Sequence, residues 1–151
     1  KTTVSKELQK KFGKNTMYIS QDMVRRQILM VDDGNDTLAL PLMKEMLSYG
    51  SRNSEVVILE GIMYADWYRT LFVQAKELYR DNIYAYYFDI PFEETVRRHQ
   101  MRDKRNEFGA EAMRKWWREK DYSDVLDERT IGLECDKDSI VNKIYCDVMG
   151  V

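Results

Sequence analysis

The sequence predicts an α/β domain with a three-layer architecture, a parallel sheet carrying helices on both faces. Three observations lead there. Short apolar runs alternate with stretches of helical periodicity along the whole chain. One run, Val56, Val57, Ile58 and Leu59, is apolar without alternation, the pattern of a strand covered on both sides. Turn residues separate the runs from the helices between them, as crossovers in a parallel sheet require.

Each element follows from its own residues. Val4, Leu8 and Phe12 recur at helical spacing, and Gly13 stands where a helix C-cap belongs. Residues 15–20 form a short extended run ending at Ser20. Helical periodicity then returns through Met23, Ile28 and Leu29. A polar break at residues 32–36 precedes a second helix over about 37–49, with Leu40, Met43 and Leu47 on one face and Gly50 and Ser51 as its stop. After the strand ending at Glu60 comes a helix over about 66–80. Residues 83–91 then give a strand rich in aromatic and β-branched side chains, which Pro91 terminates. Residues 92–104 read as helix, 106–120 as a charged helical stretch with Trp116 and Trp117 adjacent, and 121–127 as a polar connection. Residues 128–134 are the last strand, and Ile140, Ile144 and Val148 mark a closing helix over 137–149.

A length of 151 residues suits one domain with a single substantial core, and we read one domain over 1–151. A net charge of −2 supplies no overall field for nucleic acid or membrane surfaces. No apolar run approaches the roughly 18 to 20 residues of a membrane helix, and no signal peptide pattern opens the chain, so the cytoplasm is the expected location. His99 is the single histidine, and Cys135 and Cys146 form no CxxC pair, so zinc chemistry lacks ligands. Both cysteines read as small core residues, and magnesium is the favoured metal.

Lys1 and Thr2, followed by an amphipathic helix, match the last two positions of the phosphate-binding motif GxxxxGK[ST]. In that motif the lysine reaches the outer phosphates, the hydroxyl binds magnesium, and the helix N-terminus receives negative charge. A surface residue and a helix cap give the same dipeptide. Other charged residues stand just beyond strands, where an α/β sheet binds its ligand. Asp22 follows the first predicted strand, Glu60 ends the second, and Arg98, Arg102 and Arg105 follow the third.

With Lys1-Thr2-Thr3, residues 18–26 (YISQDMVRR), 56–61 (VVILEG), 86–102 (YYFDIPFEETVRRHQMR) and 128–134 (ERTIGLE) in that order, the chain resembles the small P-loop kinases related to zeta toxins and chloramphenicol phosphotransferase. It is more loosely similar to shikimate, gluconate and nucleoside kinases. The resemblance covers essentially the whole chain. It implies a nucleotide-kinase-like P-loop fold, ATP and magnesium as cofactors, and a lid region over about 98–120. The family pattern also has a strand and a glycine-rich loop before Lys1, and the expectation is that such a segment precedes this lysine in the natural protein. Without that strand, two neighbouring strands would present unpaired edges in the core, at about 1 to 3 kcal/mol for each buried group without a partner.

The resemblance assigns roles residue by residue. Lys1, Thr2, Thr3, Arg98, Arg102 and Arg105 would hold ATP, with Thr2 and Glu60 at the magnesium. Asp22 would be the general base, accepting the proton of the attacking hydroxyl; the alternative is a helix N-cap. From their place on the helix after the first predicted strand, rather than from the resemblance, Arg25 and Arg26 would hold an anionic substrate, or form a solvated helical face. Glu60 would orient substrate or a magnesium-bound water, or mark a strand that has reached solvent. Arg98 and Arg102, spaced i and i+4, would act from the lid on the transferred phosphoryl group, with Glu93 and Glu94 signalling a self-paired surface instead. Asp32 and Asp33 read as loop residues beside Gly34. Tyr84, Tyr86 and Phe88 alternate in a strand and are read as packing rather than as a base-stacking surface, so nucleic acid is not the expected partner. The expected activity is phosphoryl transfer to a hydroxyl of a small molecule: a nucleoside, a sugar nucleotide, an antibiotic or another metabolite. The alternatives are a silent nucleotide-binding regulatory domain and a kinase acting on nucleic-acid 5′-hydroxyls. Oligomeric state stays open.

Overall fold

A computed structural model of the protein describes residues 1–101 and 109–151. The elements run α1 (Thr2–Phe12), β1 (Thr16–Ser20), α2 (Gln21–Met23) continuing as a π-helical segment (Val24–Leu29), α3 (Ala39–Asn53), β2 (Val56–Glu60), α4 (Arg69–Tyr79), β3 (Ala85–Phe88), α5 (Phe92–Gln100), α6 (Ala110–Trp116), β4 (Glu128–Ile131) and α7 (Lys137–Met149). Gly13 closes α1 at φ 87°, a conformation that a residue with a Cβ adopts only at a cost.

The strands form two parallel pairs. β1 lies along β2 with Tyr18 opposite Ile58 and Ser20 opposite Glu60, while β3 lies along β4 with Phe88 opposite Ile131. Among the described residues no ladder joins β2 to β3. They nevertheless share a core: Ile58 of β2 and Tyr86 and Phe88 of β3 all pack against the buried cluster of Val4, Leu8, Ile131, Ile140, Val141 and Ile144, which α1, β4 and α7 supply. The neighbouring residues of β2, Val57 and Leu59, pack instead against a second cluster built on Ile19, Met43, Leu47, Tyr68 and Leu71. Alternation along the strand therefore sends odd positions toward α3 and α4 and Ile58 toward α1.

Three local expectations are corrected. α3 continues through Gly50 to Asn53, because Gly50 serves as a close-approach residue rather than a stop: a Cβ there would stand 2.7 Å from Val57 Cγ2 and 3.0 Å from Met17 Sδ. Both faces of β2 are packed, but apart from Glu60 its residues are half-buried rather than fully buried, with one ladder partner for the strand among the described residues. Cys146 is exposed on α7, and Cys135 is half-buried beside the α1–α7 cluster, so neither is a fully buried core residue. Among the described residues, no helix is long and apolar enough to cross a membrane.

Candidate functional site

Parallel pairing fixes which ends meet. Ser20 and Glu60 are register partners at the carboxyl ends of β1 and β2, so the chain leaves both strands from one edge. The first turn of α1 reaches the same edge: Thr2 Oγ1 donates to the carboxylate of Glu60, 3.3 Å from one oxygen and 3.4 Å from the other. Tyr18, on the same face as Glu60 by alternation, donates its hydroxyl to Glu60 at 2.7 Å. Glu60 is 8% exposed, so it has not simply reached solvent. A buried polar group without such donors would be costly.

Lys1 stands at the N-cap of α1, and among the described residues no side chain caps that helix end. The residue is exposed as a whole, yet protein around its ammonium lowers its pKa by desolvation, against the opposing pull of Glu60 and Glu128. Glu128 begins β4 and is itself pushed up, chiefly by burial. Burial, ahead of the Glu60 hydrogen bond, pushes the Tyr18 phenol up to about 12. Thr3 is exposed in the same first turn.

Asp22 does not cap its helix; Ser20 does, accepting from the Met23 amide at 3.3 Å. Asp22 instead stands in the first turn, where Arg26 Nε approaches one of its oxygens at 2.8 Å and Arg25 reaches the same oxygen at 3.3 Å. Arg26 is exposed; Arg25 is largely covered. Beneath them, buried Gln21 donates to the hydroxyl of Tyr68 at 2.9 Å, and that hydroxyl donates to Asp33 at 2.5 Å. Gly61 admits the close approach of Gln21, whose Cβ would stand 2.6 Å from a Cβ added there.

The arginines beyond β3 divide. Arg98 donates to Glu94 at 2.8 Å, and Arg97 grips the same carboxylate with two contacts of 2.7 Å, which makes α5 a self-paired face at these positions. Arg102 and Arg105, with Lys104, lie outside the described residues. The C-terminal part of residues 98–120 is tied down: Arg118 pairs with Asp66 at 2.6 Å and lies over the Tyr64 ring, and Tyr64 donates to the carbonyl of Trp116. Clefts of ≈ 440 and ≈ 410 Å³ lie elsewhere, between α1 and α7 and beyond β3, and none of Lys1, Thr2, Asp22 and Glu60 lines them.

The structure brings Lys1, Thr2 and Glu60 together and sets Asp22, Arg25 and Arg26 on the helix that leaves the same edge. Sequence reasoning missed Tyr18, Gln21, Tyr68 and Asp33. Tyr18 was accessible through its alternation with Ser20 once β1 was paired with β2. The Tyr68–Asp33 bond spans 35 residues of chain and had no local signal. Compared with known proteins, the chain matches no family model, no curated protein and no solved structure.

Proposed function

We propose that the protein transfers the γ-phosphoryl group of ATP to a hydroxyl of a small molecule, in the manner of a small P-loop kinase, with a cytoplasmic location to match. The observation that carries this reading is the meeting of Lys1, Thr2 and buried Glu60 at the edge from which Asp22 also projects. A helix N-terminus without a side-chain cap, next to an ammonium group, is suited to phosphate oxygens.

The oxygens of Thr2 and Glu60 are the right donor type for magnesium, which takes one or two protein ligands and completes its shell with phosphate and water. When bound, the ion would neutralise charge on the phosphates. Tyr18 holds Glu60 in place. Lys1 stabilises negative charge on the transferred group, and Arg98 is assigned to the same task from α5, with Arg102 and Arg105 following it. Asp22 accepts the proton as the acceptor oxygen forms its bond to the γ-phosphorus and the bond to the β,γ-bridging oxygen breaks, with ADP leaving.

One observation favours a second reading, a domain that binds nucleotide without turnover: Arg25 and Arg26 both reach the same Asp22 oxygen, so a reacting hydroxyl would have to compete with them for it. Labelled ATP and a panel of hydroxyl acceptors separate the two. Under the kinase reading, Asp22→Asn lowers transfer by about 10²-fold or more while magnesium-dependent nucleotide binding persists. Nucleotide binding with no transfer to any acceptor by the unaltered protein would establish the second reading.

A further inference from the structure

We infer that Arg25 is the receptor for an anionic group, carboxylate or phosphate, carried by the acceptor molecule. Its side chain is 16% exposed, and among the described residues its Nε–H is buried without a hydrogen-bond partner. A guanidinium carries five N–H donors, and a buried donor of a charged group without an acceptor is costly. The nearest acid does not satisfy it. Asp22 takes its shorter contact from Arg26 through the same oxygen, leaving Arg25 the longer one at 3.3 Å. Nor does Asp33, which accepts from Tyr68 at 2.5 Å and from the Gly34 amide at 3.0 Å.

The surroundings are built rather than incidental. Gln21, 3% exposed, and Tyr68, fully buried, form a hydrogen-bonded polar wall, and the charge of Arg25 is felt at the Tyr68 hydroxyl. The backbone pins the position: the carbonyl of Arg25 accepts from both Met30 and Val31, the latter at 2.9 Å, closing the π-helical segment with Met30 in the left-handed region at φ 54°. π-Helical geometry is rare and concentrates at functional sites. A planar guanidinium with open donors suits the two oxygens of a carboxylate or phosphate. Arg25 lies one turn beyond Asp22, so a single small molecule can set its hydroxyl against Asp22 and its anion against Arg25. Arg26, which is exposed and holds Asp22, positions the base instead.

This inference rests on the phosphotransfer reading for the word acceptor, but its test does not. Titration of the protein with orthophosphate, and separately with acetate, is followed by calorimetry without ATP. Labelled-ATP transfer is compared for a nucleoside 5′-monophosphate against its nucleoside, and for a hydroxy acid against the matching neutral alcohol. The expected result is preference for the anionic member of at least one pair, the phosphate and carboxylate arms showing which anion it is. Arg25→Gln raises KM for that member at least about tenfold with kcat little changed, Arg25→Lys recovers part of the loss, and Arg26→Gln leaves the preference intact. Melting curves of both Arg25 variants establish that they are folded, and Arg25→Lys keeps the test available if Arg25→Gln is not. Anion binding that is unchanged in both Arg25 variants, or a preference for neutral acceptors, overturns the inference. Arg25-dependent anion binding without transfer to any acceptor upholds the anion receptor and removes the kinase reading.

Discussion

At the scale of single residues, Glu60 shows how a strand end becomes a site. A carboxylate only 8% exposed is held by hydroxyls from Tyr18 and Thr2, and the two donors come from different elements. Removing the Tyr18 hydroxyl leaves the charge with fewer donors in the same burial. Tyr18→Phe is therefore expected to cost about 1.5 to 3 kcal/mol, read as a lower urea midpoint with unchanged slope. The high phenol pKa carries the matching pH signature. Its folded value near 12 lies above the ordinary 10.0, so the contribution is complete below pH 10.0 and is lost as pH rises through 12. Glu60 was legible in the sequence because an acid that ends an apolar run stands out. Tyr18 was not, since a tyrosine in a strand looks like packing until its strand partner is known.

Among the elements, α5 illustrates self-pairing. Glu94 is held at about 2, below the model-compound 4.5, first by Arg97 and then by Arg98. A folded value below the unfolded one means that this pairing contributes fully above pH 4.5 and fades as pH falls through about 2. Glu94→Gln is expected to be less stable than the unaltered protein at neutral pH, with the gap closing across that acid window in a series of denaturation midpoints. The helix read over 92–104 is seen as α5 over Phe92–Gln100, with 102–104 outside the described residues, and the bounds of α7 were readable from the spacing of Ile140, Ile144 and Val148, to which the structure adds an Asp136 cap. The π-helical turn after α2 was not. Its extra residue per turn depends on the closing bonds at Met30 and Val31, which no propensity reports.

For the whole molecule, two cores are stitched by different helices, and Leu8 of α1 belongs to the one that touches both strand pairs. Truncating it opens a cavity where Ile58 of β2 and Ile131 of β4 meet the same helices. Leu8→Ala is expected to lose about 2 to 5 kcal/mol, with hydrogen-exchange protection falling in β2 and β3 alike rather than in one pair. The order of strands and helices was written in the alternation of apolar runs. Which strands would share hydrogen bonds was not, because pairing depends on neighbours in space.

The shared core without a shared ladder has a mechanical consequence. Backbone ladders join β1 to β2 and β3 to β4, whereas between the halves the described contacts are side-chain packing and polar contacts such as those of the Ala65 amide with Asp121, Arg69 with Asp124 and Lys76 with the carbonyl of Val125. Movement of one half against the other would have to break those polar contacts as well as the packing. Lys1 answers to Glu60 in one half and to Glu128 in the other, so such a movement would also alter the field at its ammonium group.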